Sequence, residues 1–192
     1  MEKSAKPINV PNMLTVSRIL MTPLLVILLL KQLFGPALGV FVLAGITDAL
    51  DGLIARYCNQ RTELGAYLDP IADKLLLTAS FISLGVLNLI PGWVVVIVIT
   101  RDVLILLGIA IYSLTGITLR IAPSMLSKCT TAAQLTAVGL SLLGVQLNGI
   151  SIYLSYFFWL TAGLTTLSGL HYIYVGMSIL QSGTKSDMSD KL

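Results

Sequence analysis

The sequence predicts an all-α, polytopic membrane protein with six transmembrane helices and a short interfacial helix before the first of them. Three observations lead to this fold class. Of the 192 residues, 56% are hydrophobic and only 11% are charged, so a water-soluble globule would lack polar residues to cover its surface. The apolar runs are long enough for bilayer-crossing helices. Helix-interrupting pairs such as Gly35-Pro36 and Pro91-Gly92 separate them.

The elements are predicted in chain order. Residues 11–18 mix polar and apolar positions, which suits a short helix at the level of the lipid headgroups. The six spans are then expected at 19–31, 36–55, 69–89, 92–115, 129–147 and 151–181. No small-residue cleavage site follows the first span, so we interpret it as retained and not as a signal peptide. Residues 1–181 thus form one membrane domain, and residues 182–192 form a polar cytoplasmic tail.

Basic residues are distributed unevenly between the two sides of this predicted topology. With the amino terminus inside, the cytoplasmic segments carry Lys3, Lys6, Arg56, Arg61, Arg120, Lys128, Lys185 and Lys191, and the outer loops carry Lys31 alone. Such an excess marks the cytoplasmic face. We therefore expect a multi-pass protein of the bacterial inner membrane, with both termini inside. The two cysteines, Cys58 and Cys129, lack metal-ligand spacing and fall on the same reducing side.

Four aspartates are concentrated on the second and third spans. Asp48 and Asp51 are three residues apart, and Asp69 and Asp73 are four apart, so each pair shares one face of its helix. Two antiparallel helices would then present four carboxylates to one another. Hard cations such as Mg²⁺ or Mn²⁺ prefer carboxylate oxygens and would remove the repulsion between the acids. The pattern therefore predicts a metal site.

Several of the charged residues in the spans also have structural interpretations. Asp69-Pro70 has the residue types favoured at a helix N-cap and first turn. Arg101-Asp102 can be a structural ion pair, or each residue can serve a separate partner. Arg18 can extend to the membrane interface or contact a lipid phosphate.

Two further alternatives concern the aspartate pairs. Gly45 and Gly52 beside the first pair suit either close helix packing or the approach of a ligand. Acids within spans also occur in cation-coupled transporters. A transporter, however, usually has an ion site near the midplane together with repeats or broken helices, whereas these aspartates lie toward the cytoplasmic ends of two consecutive spans.

The spacing of these residues resembles the signature of the CDP-alcohol phosphatidyltransferase family. At every defined position the match is Asp48-x-x-Asp51-Gly52-x-x-Ala55-Arg56, then eight residues, Gly65, three residues, Asp69, three residues and Asp73. The resemblance implies transfer of a phosphatidyl group from CDP-diacylglycerol to an alcohol, with release of CMP. It also implies a fold that covers nearly the whole chain, and homodimers, as in relatives. No nucleic-acid partner is expected.

The same resemblance assigns roles to residues of this sequence. It implies that the four aspartates hold two divalent cations, Mg²⁺ or Mn²⁺, and that Asp73 also acts as general base on the acceptor hydroxyl. The residues that it assigns to the CDP-lipid are Gly52, Arg56, Thr62 and Asn12. An arginine suits a pyrophosphate because its guanidinium binds phosphate oxygens through two donors and keeps its charge.

Two further motifs bear on the acceptor alcohol. Pro11-Asn12-x-Leu14-Thr15-x-x-Arg18 resembles the amino-terminal motif of the branch that makes phosphatidylglycerolphosphate, and of its relatives that make cardiolipin. A second element shared by both branches is matched by Ser127, Lys128, Thr131 and Gln134. An anionic acceptor needs cationic partners at a dry site.

Lys128 and Arg101 are the candidates for binding the acceptor phosphate. The branch that makes phosphatidylglycerolphosphate usually has Arg-Glu where this chain has Arg101-Asp102. Arg-Asp together with Ser127-Lys128 is more similar to the branch that makes cardiolipin. Glycerol 3-phosphate is the favoured acceptor because its use is the commoner activity among short chains of this kind. Phosphatidylglycerol is the alternative.

Overall fold

The structure is a computed structural model that describes residues 10–57, 63–114, 125–147 and 151–189. Within these ranges it contains no strand. Its six helices are α1 (Val10–Leu30), α2 (Phe34–Tyr57), α3 (Glu63–Val86), α4 (Gly92–Leu114), α5 (Met125–Gln146) and α6 (Ser151–Ser189). The predicted all-α class and the number of long helices are confirmed. None of the described helices reaches the combination of length and mean hydropathy that a membrane crossing requires.

The amino-terminal part of the chain differs from the sequence-based prediction. The short interfacial helix expected at 11–18 is not a separate element, because α1 is continuous from Val10 to Leu30. No helix-breaking residue separates the two predicted segments. Pro11 lies at the start of the helix, where its missing N–H is no loss. Pro23 lies inside α1 without ending it.

Two other boundaries also differ from the prediction. The third helix begins at Glu63 and includes Asp69 and Pro70, so Asp69 is not its N-cap and that interpretation is wrong. The sixth helix continues to Ser189. Residues 182–189 are thus helical, although their polar composition remains the basis for the predicted cytoplasmic tail.

Short turns close α1 and α3 in the same way. Gln32 and Asn88 both adopt a left-handed backbone conformation with φ of 57°. At the end of α1, the Leu33 N–H donates to the Leu28 carbonyl at 2.9 Å, and at the end of α3 the Leu89 N–H donates to the Leu84 carbonyl at the same distance. These are Schellman motifs, which satisfy the last carbonyls of a helix. Each turn leads directly into the next helix.

The helices form a bundle in which sequence neighbours and more distant pairs pack together. The first helix packs against α2 and α3, α4 and α5 pack against α6, and α2 and α3 also pack against α5. The fully buried apolar residues include Leu25, Leu29, Phe81 and Leu142. Many large apolar side chains are exposed on the outer surface of the bundle, for example Leu20, Val86, Val96, Tyr156 and Leu170.

Candidate functional site

Asp48 and Asp73 come together on a buried arginine of α1. A single Arg18 nitrogen, Nη1, lies 2.8 Å from Asp48 Oδ1 and also donates a hydrogen bond to Asp73 Oδ1. The Arg18 side chain is 0% exposed, whereas 44% of the Asp48 side chain and 41% of the Asp73 side chain remain accessible. The two carboxylates are thus held from their buried side and open on the other. Because Arg18 is fully enclosed, the prediction that it extends to the interface is wrong.

Three helices create this arrangement. Residue Asp48 lies on α2, Asp73 on α3 and Arg18 on α1, which packs against both of the other helices. Since Oδ1 of each aspartate contacts the same nitrogen, the two oxygens converge on one point. Convergent carboxylate oxygens form the kind of ligand set that Mg²⁺ and Mn²⁺ prefer. These two residues therefore fit the predicted divalent-cation site.

The rest of the predicted donor and metal site lies beyond the side chains that the structure describes. Asp51 and Asp69 lie on α2 and α3, three and four residues from Asp48 and Asp73, but their side chains are not among those described. Among the described side chains, no three or more His, Cys, Asp or Glu groups lie close enough to hold a metal ion. The residues predicted for the CDP-lipid that lie outside the described side chains are Gly52, Arg56, Thr62 and Asn12. Their roles stay predictions.

A second buried cluster connects α3 to the other half of the bundle. Asp102 Oδ1 accepts a hydrogen bond from Lys74 Nζ at 2.6 Å and another from Arg101 Nη1 at 2.7 Å. Arg101 Nη2 donates to Ser127 Oγ at 2.7 Å and to Ser168 Oγ at 3.2 Å. These contacts join α3, α4, α5 and α6. Arg101 and Asp102 are each 5% exposed, so the centre of the network is shielded from solvent, whereas 27% of the Lys74 side chain remains accessible.

The two predicted acceptor ligands have different environments. The Arg101 guanidinium is held by Asp102 and two serines, and it lies 6.0 Å from the Tyr172 ring. The direct pairing of Arg101 with Asp102 agrees with the interpretation of these residues as a structural pair. Lys128, by contrast, is exposed near the start of α5 and forms no ion pair with any residue in the described ranges. Binding of an acceptor phosphate stays a prediction for both.

The sequence identifies Arg18 and Asp102 as charged residues within apolar helices but does not indicate their contacts. In the structure each pairs with a charge on another helix, Arg18 with Asp48 and Asp102 with Lys74. The signal was the cost of an unpaired charge in an apolar environment. Which charged residues pair with each other depends on how the helices cross. The spacing of residues along one helix does not determine that crossing.

Comparison with known proteins identifies the relatives of this chain. Residues 8–168 match the family model described as CDP-alcohol phosphatidyltransferase. Human cardiolipin synthase (CMP-forming) is 38% identical over 91% of this chain and 64% of the human protein. The CDP-diacylglycerol–glycerol-3-phosphate 3-phosphatidyltransferase of Bacillus subtilis (strain 168) is 33% identical over 85% of this chain and 93% of that protein.

A third relative belongs to another bacterium. The probable phosphatidylglycerophosphate synthase of Mycobacterium tuberculosis (strain ATCC 25618 / H37Rv) is 37% identical over 72% of this chain and 68% of that protein. The chain spans 64% of the length of both the human and the rat cardiolipin synthase. Similarity to the Bacillus protein, in contrast, extends over nearly that entire protein.

Proposed function

Since the chain belongs to the CDP-alcohol phosphatidyltransferase family, we propose that it transfers a phosphatidyl group from CDP-diacylglycerol to an alcohol and releases CMP. The observation that carries this proposal is the convergence of Asp48 and Asp73, two signature residues from different helices, on one buried arginine nitrogen. Separate helices bring these two acids together, which supports a shared reaction centre.

Two divalent cations, Mg²⁺ or Mn²⁺, belong to this proposal. Asp48, Asp51, Asp69 and Asp73 would hold them. When bound, such ions neutralise the pyrophosphate and stabilise the leaving CMP. The described acids fit this role because their oxygens converge and remain accessible from one side.

The chain's own residues supply proton transfer and binding of the CDP-lipid. In the reaction, the acceptor oxygen forms a bond to the phosphorus that carries the diacylglycerol, and the bond from that phosphorus to the CMP oxygen breaks. Asp73 takes the proton of the acceptor hydroxyl. The residues that would bind the CDP-lipid are Gly52, Arg56, Thr62 and Asn12.

Glycerol 3-phosphate is the first candidate acceptor, giving phosphatidylglycerolphosphate. Support comes from the Bacillus relative, which is named for this acceptor and matches the chain over 93% of its own length. Lys128 and Arg101 would bind the acceptor phosphate. Lys128 is exposed next to Ser127, which accepts a hydrogen bond from Arg101.

Phosphatidylglycerol is the second candidate, and the product would be cardiolipin. Two observations favour it. Human cardiolipin synthase is 38% identical to this chain. In addition, the chain has Asp102 after Arg101, and this aspartate carboxylate accepts hydrogen bonds from both Lys74 and Arg101.

We also propose that the protein is a multi-pass inner-membrane protein with its active site on the cytoplasmic face, and that it forms a homodimer. The membrane proposal is supported by the hydrophobic content of 56% and by the apolar side chains on the outer surface of the bundle. An exposed apolar exterior is favourable in lipid and unfavourable in water. The distribution of basic residues supports the orientation.

The decisive experiment supplies both acceptors in parallel. Purified protein is incubated with radiolabelled CDP-diacylglycerol and Mg²⁺, together with either glycerol 3-phosphate or phosphatidylglycerol, and the lipid product is identified by mass spectrometry. We expect acceptor-dependent release of CMP. The preferred product assigns the acceptor. Absence of CMP release with both acceptors would contradict the proposed activity.

Asp73→Asn tests the proposed base in the same assay. Loss of the proton acceptor should abolish turnover while binding of CDP-diacylglycerol is largely retained, which equilibrium binding of the labelled lipid measures. Asp187→Asn, the same change near the end of α6, is the matched control and should keep full activity. Normal turnover by Asp73→Asn would show that this carboxylate is not the base.

A further inference from the structure

Arg18 occupies an unusual position for a charged residue. It lies on α1, outside the aspartate signature, and is fully enclosed by the protein. A buried guanidinium is stable only when hydrogen-bonded and electrostatically compensated. Its position between the helices that carry the signature acids therefore bears on how those acids are held together.

The Arg18 contacts involve the two oxygens at which the acids converge. Nη1 lies 2.8 Å from Asp48 Oδ1 and also donates to Asp73 Oδ1. A cation shared by the two carboxylates would be attracted to these same oxygens. Two like charges that close repel each other strongly where the local dielectric constant is low. Arg18 and a divalent cation are thus competitors for one pair of ligands.

We propose that Arg18 is a positioning residue that holds Asp48 and Asp73 together before a metal ion binds. Because Arg18 contacts the same oxygens, it also lowers the affinity of the two carboxylates for the ion. This inference rests on the proposed metal site. Arg18 supplies the positive charge that keeps the two carboxylates near each other when no divalent cation is present. Asp48 and Asp73, which remain partly accessible, would hold a divalent cation from that side, and the cation would then supply the compensating charge.

Competition between Arg18 and a metal ion predicts a specific effect when Arg18 is replaced by an uncharged residue. Arg18→Gln removes the charge but leaves a polar side chain on α1. Without metal, the repulsion between Asp48 and Asp73 is no longer compensated, so the fold should be less stable. With metal, no guanidinium competes for the two Oδ1 atoms, so the ion should bind more tightly. A residue that acts only in packing would weaken the fold in both states and would not increase metal affinity.

The test measures Mn²⁺ binding directly, without substrates. Metal-free wild-type protein and Arg18→Gln are titrated with Mn²⁺, and the free ion is followed by electron paramagnetic resonance. We expect a dissociation constant about tenfold lower for the variant, since removal of a nearby unit charge is a large electrostatic change. Thermal unfolding should show a lower Tm for Arg18→Gln in EDTA and recovery toward the wild-type value in Mn²⁺.

Two other variants serve as controls. Arg18→Lys keeps the positive charge, so its Mn²⁺ dissociation constant and its Tm should remain close to the wild-type values. A dissociation constant as low as that of Arg18→Gln would contradict the proposal that the charge of Arg18 lowers metal affinity. Lys31→Gln removes an exposed positive charge just beyond the end of the same helix and should change neither measurement.

The possible failures are distinguishable. If the wild type binds no Mn²⁺, the proposed metal site itself is wrong. If the wild type binds Mn²⁺ and Arg18→Gln binds it equally or more weakly, the inference about Arg18 is overturned. An Arg18→Gln protein that remains unfolded even in Mn²⁺ would also overturn it, because Arg18 would then have a role that the cation does not replace.

Discussion

At the scale of single residues, three of the ion pairs in the described part of the chain join different helices, and a fourth, Arg101 with Asp102, lies within α4. Asp102 illustrates the pattern, because its Oδ1 accepts hydrogen bonds from Lys74 on α3 and from Arg101 on its own helix. Loss of one partner from such a pair leaves an uncompensated charge in a poorly hydrated place. Arg101 and Lys74 are consequently less available to a ligand than the exposed Lys128.

This difference leads to a prediction for the acceptor. Lys128→Ala should raise the Michaelis constant for the acceptor by about tenfold, as expected for loss of a charge-assisted hydrogen bond to a phosphate. The Michaelis constant for CDP-diacylglycerol should change little. Steady-state kinetics with each substrate varied in turn measures both values.

Lys31→Ala is the control for this prediction, since it removes another exposed lysine that lies far from Lys128 in the predicted topology. It should leave both constants unchanged. Equal effects of Lys128→Ala on the two substrates would argue against a specific role in acceptor binding and for a general effect on the site.

At the residue scale, the sequence was sufficient to select the acids but not their counter-charge. Asp48 and Asp73 were identified by their spacing, and the structure places them together. For Arg18 the sequence indicates only an interface position or a contact with a lipid phosphate, because its actual contacts follow from the packing of α1 against α2 and α3. Hydrophobic patterns specify helices, but they do not specify the crossing geometry that decides which side chains meet.

At the scale of elements, the third and fourth helices approach closely at Gly85. A β-carbon added there would lie 2.9 Å from Val95 Cγ2, closer than real carbon contacts allow. Valine has a β-branched, stiff side chain and yields little. The small residue therefore permits the contact between α3 and α4 just before the turn that connects them.

We predict that Gly85→Ala destabilises the protein by about 1 to 2 kcal/mol, because overpacking outweighs the gain in helix propensity. Combination with Val95→Ala should restore part of the loss by making room. Thermal or denaturant unfolding in detergent provides the measurement.

Gly39→Ala is the matched control on α2, where an added β-carbon would meet nothing within 4 Å. This change should be neutral or slightly stabilising, since alanine favours helices. A Gly85→Ala protein as stable as Gly39→Ala would show that α3 and α4 can separate at no cost.

Helix boundaries show why composition predicts elements better than their ends. The third span is predicted to begin at Asp69, yet the helix begins at Glu63. Four of the residues 63–68, Glu63, Leu64, Ala66 and Leu68, have high helix propensity, so the helix can extend beyond the apolar run. The residues after 181 are polar, and for that reason the sequence predicts a solvated tail there. In the structure, however, α6 continues to Ser189.

At the scale of the whole molecule, many large apolar side chains of the described residues are exposed on the exterior of the bundle, and several polar side chains are buried between helices. Thr130, Gln134 and Ser141 on α5 are buried together with Thr165 and Ser168 on α6. Polar residues between helices and apolar residues outside are typical of a bundle in lipid. This distribution supports the proposed membrane location independently of the charge pattern.

Cys129 gives a direct test of the proposed orientation, because it is exposed near the start of α5. In a Cys58→Ser background, a membrane-impermeant maleimide should label Cys129 in inverted inner-membrane vesicles and not in intact spheroplasts. The reason is that the excess of Lys and Arg predicts a cytoplasmic location for this end of the bundle.

Cys58→Ser, Cys129→Ser is the control without a thiol and should show no labelling in either preparation. Labelling of Cys129 in spheroplasts would place the start of α5 outside and would contradict the proposed topology.

The turns at Gln32 and Asn88 lie at one end of the bundle, and a change in either turn would tilt the helix attached to it. At 1.5 Å per residue, the acids on α2 and α3 lie about 20 Å along their helices from these turns. A tilt of about 5° there would swing a carboxylate by about 2 Å, whereas metal–oxygen distances tolerate about 0.2 Å. A small change at a turn would therefore produce a large displacement at the acids. Gln32 and Asn88, although distant, thus help to set the spacing of the carboxylate oxygens on α2 and α3.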